Sequence, residues 1–234
     1  MVTTIMTMPE TVAAARHPLG LVRLMTWLSP AFPVGGFAYS GGLESAVVEG
    51  HVTGVTDLAV WIETLLHAGS LRNDVILLAE GYRACGDPVR LQETVALASA
   101  LSATAERYHE ATGQGDAFLA AASAWPQHVL SVLGPGTPYS VAVGAVAMAN
   151  GIALGDTLAA FLQAQCGQLV SAAIRLGIIG QSHGVAILAG LEPAILQQAR
   201  LTVDLGLDDL GSATVTADLL SMRHETQYSR LFQS

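Results

Sequence analysis

The stretch DTLAAFLQAQCGQLVSAAIRLG, residues 156–177, decides the fold class. It reads as the longest helix of the chain, opened by Asp156 as a cap and terminated by Gly177 and Gly180. Outward from it, helical patterns repeat. Leu21, Leu24, Met25 and Leu28 share one face before Ser29-Pro30 stops the helix. Asp57 is placed to cap a helix carrying Leu58, Trp61, Ile62 and Leu65 on one side, a second runs from Leu71 to Ala84, and Asp87-Pro88 starts another expected to reach about Tyr108. A turn is expected at Gly113–Gly115, then a short helix toward Trp125, a helix over Tyr139–Asn150, helix starts at Ser182 or His183 and at Glu192-Pro193, and a last amphipathic stretch over Ala213–Arg230. No segment sustains the period-two alternation of a strand. The expectation is an all-α, single-domain bundle of about eight to ten helices over residues 19–220, with a flexible tail at 1–18 and a separate C-terminal segment at 221–234.

Composition narrows function. With 51% hydrophobic and 12% charged residues, the chain of 234 residues is equipped for an extensive core rather than for disorder. All ten bases are arginine, so a Walker-type phosphate loop, a Schiff base and a lysine general base are excluded. A net charge of -9 without a basic stripe argues against nucleic acid. Cys85 and Cys166 stand far apart without metal-binding spacing, which fits a reducing cytoplasm, and the N-terminus lacks the pattern of a signal peptide. Between Asp116 and Glu192 the only formal charges are Asp156 and Arg175. Gly, Pro, Asn and Gln interrupt that region and no basic cluster flanks it, so a core of close-packed helices is expected rather than a membrane span.

Two segments depart from this helical background. SPAFPVGGFAYSGGLE, residues 29–44, sets Phe37 and Tyr39 among Pro30, Pro33, Gly35, Gly36, Gly41 and Gly42, a loop of defined shape that suits a partner, a ligand or a tight helix junction. MRHETQYSRLFQS, residues 222–234, gathers Arg223, His224, Glu225, Gln227, Tyr228, Arg230, Leu231 and Phe232. Those residue types suit interface docking, and equally a helical tail packed on its own domain.

Chemistry is harder to place. Ser29 and Ser40 lack a nucleophile elbow, and His109-Glu110, His183 and His224-Glu225 make no closed metal shell, so no stable metal site is expected. Arg175, mid-helix in apolar surroundings, is expected to tie its helix structurally to a neighbouring loop. Glu106 and Glu110 lie one turn apart around Arg107, which reads most simply as a solvated, mixed-charge face.

Taken together, SPAFPVGGFAYSGGLE, the Glu106-Arg107 and Glu110 region, LVSAAIRLGIIGQSHG at 169–184 and SMRHETQYSRLFQS at 221–234 resemble, in order, the UreF family of urease accessory proteins. Two positions depart from that pattern: Gly41, more often a polar His or Gln, and Gln233, often Arg. The resemblance implies an all-α, dimerising scaffold without catalysis of its own. Such proteins bind UreD (or UreH) and recruit the GTPase UreG, and nickel passes to apo-urease with GTP bound on the partner rather than on this chain. It also implies an interface of Pro33, Gly35, Gly36, Phe37, Tyr39, Ser40 and Glu44, a docking tail over Arg223–Phe232, and structural roles for Arg175 and Gln181.

Overall fold

The computed structural model describes residues 10–234, with side chains from Pro18 onward. The elements are α1 (Glu10–Trp27), α2 (Leu43–Val48), α3 (Val55–Ala68), α4 (Ser70–Arg83), α5 (Pro88–Ala100), α6 (Ala105–Ala122), α7 (Val129–Val132), α8 (Tyr139–Ala149), α9 (Leu154–Arg175), α10 (Gln181–Thr202) and α11 (Val215–His224), with short 3-10 turns between some of them. Among the described residues the fold is all-α, as the periodicity predicts.

The centre is α8. YSVAVGAVAMA has no polar face, and its residues from Tyr139 to Ala147 are all buried, as expected of a helix that is apolar all round. It crosses α4 at very close range: a Cβ on Gly144 would lie 2.1 Å from the Leu78 carbonyl oxygen, and one on Gly81 would lie 2.8 Å from that of Val141. Side chains cannot occupy those points, so backbone packs on backbone. Around this pair, α3, α6, α9 and α10 contribute Leu58, Ile62, Phe118, Phe161 and Ile187 to one apolar cluster. Each fully buried side chain of this kind stabilises the fold by about 1.5–3 kcal/mol.

At one edge, Trp27 is buried at the end of α1, edge-on to Phe118 at 6.2 Å and to Trp125 at 5.6 Å between ring centroids. Phe32 from the following loop tilts against the same two rings. The glycine-rich segment therefore leaves the core from an aromatic anchor.

Several boundaries differ from expectation. Helix α1 begins at Glu10 and runs through Pro18, so the part of the expected tail within the described residues is helical; residues 1–9 lie outside them. The helix opened by Asp87, with Pro88 in its first turn, stops at Ala100, and Thr104 caps a new helix by accepting from the Arg107 amide. Gly113 and Gly115 lie within that helix rather than in a turn; at Gly115 a Cβ would lie 1.8 Å from the Thr137 carbonyl oxygen, so the glycine there answers to close packing. Helix α10 passes through Glu192-Pro193 without a new start. Asp57 and Asp156 lie in the first turns of α3 and α9 rather than at their caps, which are Gly54 and Ala153. The last helix ends at His224, short of Arg230. Helix α9 meets the length and composition of a membrane span, with half of its most apolar window buried inside the fold.

Candidate functional site

The glycine-rich loop and the C-terminal segment, 190 residues apart in sequence, meet over three buried carboxylates. Glu44 lies in the first turn of α2, whose cap Gly42 adopts φ 82° with Ser221 of α11 3.3 Å from where a Cβ would stand. A side chain at Gly42 would be strained by its φ and would press on α11. The Glu44 carboxylate accepts the backbone amides of Leu231 at 2.7 Å and Phe232 at 3.0 Å, and faces His224 Nε2 at 3.0 Å. Its exposure is 4%.

Glu106, in the first turn of α6, faces the other imidazole nitrogen, Nδ1, at 2.8 Å and accepts from Arg230 at 2.9 Å. His224 itself is wholly buried. With both carboxylates ionised, both ring nitrogens donate, the arrangement of an imidazolium between two acids. One turn further along α6, Glu110 accepts from Arg107 at 2.8 Å and from the Ser234 hydroxyl at 3.0 Å. Arg107 also reaches Asp74 of α4 at 3.2 Å.

Backbone pairing completes the seat. The Ser40 amide and hydroxyl both donate to the Ser234 carbonyl, and the Gln233 amide donates to the Ala38 carbonyl at 2.8 Å. Arg175 donates to the Phe37 carbonyl and lies 4.4 Å from the Phe232 ring centroid, a cation–π contact. It stands exposed in the last turn of α9 rather than mid-helix. The Glu106–Glu110 face, expected to be solvated, is instead the buried floor of this seat, because α11 and the tail cover it.

The candidate residues thus divide. His224 and Phe232 face inward, together with Ser40 and Glu44. Phe37 is 73% exposed, Tyr228 is fully exposed and Leu231 about half exposed. Arg223 pairs with Glu49, Glu225 caps the Ala105 amide of α6, and Gln227 bonds the Ser229 carbonyl. Pro33 is exposed, Gly35 adopts φ 72°, Gly36 abuts the Gln168 amide and Gln181 is an exposed first residue of α10. Tyr39 is partly buried, and its phenol is pushed above the ordinary range by that burial and by Glu110. Gly41 turns at φ 60°, and a Cβ there would lie 3.9 Å from Arg107, so a larger side chain would point at the Arg107–Glu110 pair. Asp74 and Ser234 carry part of the network without having been singled out from sequence.

Asp74 adds a pH dependence. Burial pushes its carboxyl above the ordinary 3.8, and Glu110 adds to the rise, while Arg107 offsets part of it. A raised folded value means that its contribution to stability is full below the ordinary carboxylate value and is lost as pH rises through the folded one. Asp74→Asn should therefore gain stability relative to the parent protein as pH rises from 4 to 8 in thermal melts. A difference constant across that range would contradict it. Cysteine offers little chemistry: Cys166 is buried, its thiol pushed up to about 12, and burial also raises Cys85. Among the described residues no group of three or more His, Cys, Asp and Glu is placed to hold a metal ion.

Comparison with known proteins places this geometry in context. The UreF family model matches residues 52–192. The chain is 57% identical over 214 residues to the urease accessory protein UreF of Agrobacterium fabrum strain C58, covering 92% of this chain and 96% of that protein. It is 56% identical over 219 residues to the protein of that name from Rhizobium etli strain CIAT 652, covering 94% and 98%. The corresponding protein of Rhizobium meliloti strain 1021 is 52% identical over 214 residues, covering 92% and 96%.

Proposed function

The chain belongs to the UreF family of urease accessory proteins, with the role in urease maturation that this implies, and from that premise we propose that it is a non-catalytic, homodimeric scaffold that binds UreD (or UreH) and recruits and regulates the GTPase UreG. In this reading nickel is cargo that passes to apo-urease, GTP is bound by the partner, and no metal is held permanently by this chain.

The observation that carries the reading is the seating of the tail. Tyr228 and Leu231 stand on the outside of a segment whose inner side is held by Glu44, Glu106 and Glu110. A fully exposed tyrosine on an anchored backbone has no evident role in its own fold, and aromatic residues on rigid supports are the usual energetic centres of interfaces. A tail already ordered also avoids the backbone entropy, about 1–2 kcal/mol per residue, that a free tail would lose on binding.

The lack of any lysine supports placing the nucleotide on a partner, since the phosphate-cradling lysine of a P-loop has no counterpart here. Tyr228→Ala should leave the helical circular dichroism unchanged and lower capture of UreD and UreG from cells expressing the urease operon by at least ~10-fold, the effect of losing an interface centre. Undiminished capture by that variant would show that the tail is not the docking element. Failure of the parent protein to capture any urease maturation component would overturn the reading as a whole.

A further inference from the structure

His224 closes α11 and is wholly buried, with each ring nitrogen facing an acid from a different element: Nε2 meets Glu44 of α2 at 3.0 Å and Nδ1 meets Glu106 of α6 at 2.8 Å. The same two carboxylates hold the tail. Glu44 Oε2 serves both the ring and the Phe232 amide, its Oε1 accepts the Leu231 amide, and Glu106 Oε1 accepts from Arg230. Further out, Glu110 and Asp74 share Arg107, and Tyr39 lies within the field of Glu110. On α11 itself Arg223 pairs with Glu49, which also stands 3.9 Å from His51, while Glu225 accepts from the Ala105 amide and Asp218 from the Ser212 hydroxyl. Within the seat, His224, Arg107 and Arg230 are the cations that answer Glu44, Glu106 and Glu110.

We propose that the charge on His224 latches the tail: with the ring an imidazolium, residues 228–232 are held against α2 and α6, and when the ring loses that proton they leave the seat. A neutral imidazole has one donor and one acceptor, whereas an ionised carboxylate only accepts. Whichever nitrogen gives up its proton then turns a lone pair on a carboxylate oxygen 2.8 or 3.0 Å away, at a ring with no exposure to water. Flipping the ring exchanges the two nitrogens and relieves nothing. Helices α2 and α6 are rooted in the core by Leu43, Ala46 and Phe118 and cannot retreat. The tail can. Beyond His224 the chain has no helix, the Arg230 side chain is 41% exposed, and the Phe232 amide depends on the oxygen that the neutral ring repels. Ser234 is held separately by Ser40 and Glu110, and Gln233 by Ala38, so the opening begins at residues 228–232.

Control of partner docking by this latch rests on the tail being the docking element proposed above, whereas the latch itself is read on the full chain without partners, so the two can fail separately. Two signals are followed as pH is raised from about 6, where an unperturbed imidazole is mostly charged. The ring-carbon NMR shifts of His224 report its charge, and hydrogen-exchange protection of the Leu231 and Phe232 amides, corrected for the intrinsic base-catalysed rate, reports the seat. Protection should fall at least ~10-fold in step with the ring's own titration, the effect of losing a hydrogen bond to a charged group, while the helical circular dichroism holds constant. Glu106→Gln offers Nδ1 an amide that can donate, so the neutral ring fits and protection should no longer change with pH. His224→Gln, which has no ring to titrate, should also give a flat profile. Asp74→Asn should keep the parent's profile, which separates the latch from the raised Asp74 carboxyl. A ring that keeps its charge until the helices unfold, protection that does not follow the ring, or a pH response that survives in either glutamine variant overturns the proposal.

Discussion

His224→Ala is expected to lower stability by about 3–5 kcal/mol, the cost of stranding buried charge when one partner of an ion pair is removed. For a chain of this size that corresponds to a fall in Tm of roughly 6–20 °C. Glu44 and Glu106, 4% and 9% exposed, would face the resulting space with no cation between them. Arg230 remains with Glu106, and the Leu231 and Phe232 amides remain with Glu44, so the loss should be large without preventing folding. The C-terminal segment should loosen first, since its amides depend on the same carboxylate. Hydrogen exchange of residues 228–234 would register that, and thermal melts the total. A variant that melts within about 1 kcal/mol of the parent, the range of an exposed pair, would show that the histidine is not holding the two acids together.

The close crossing of α4 and α8 sets the second large effect. Gly144→Ala should cost about 3 kcal/mol, at the upper end of the range for overpacking a core, since the new methyl would lie 2.1 Å from the Leu78 carbonyl oxygen. Alanine's better helix propensity returns at most about 1 kcal/mol, so the clash wins. Carbonyl oxygen cannot rotate away as a side chain does; the two helices must separate along their whole contact. Gly190→Ala in α10 is the matched comparison: it meets nothing within 4 Å and should stabilise by up to about 1 kcal/mol. Denaturant titrations that found the two alanines equivalent would remove the steric argument.

Helix existence was legible because periodicity and caps are local. Asp87-Pro88 marked a start correctly, whereas Glu192-Pro193 did not, because flanking packing carries α10 through a residue that lacks an amide hydrogen and crowds the carbonyl one turn earlier. Gly113 and Gly115 suggested a turn for the same local reason, yet the smallness of Gly115 serves the approach of the Thr137 carbonyl. The glycine-rich loop and the tail were each conspicuous as segments. Nothing local joined them.

Composition and order along the chain by themselves determined the all-α class, the absence of lysine chemistry and the resemblance to UreF proteins, because each depends on residue type and short-range spacing. Only the tertiary structure decided which face of α6 is buried. Glu106 and Glu110 one turn apart share a side of their helix in any environment; α11 and the tail turn that side into a floor with His224 at its centre. Burial is a property of what packs on top, and here the covering segment lies more than a hundred residues away in the chain.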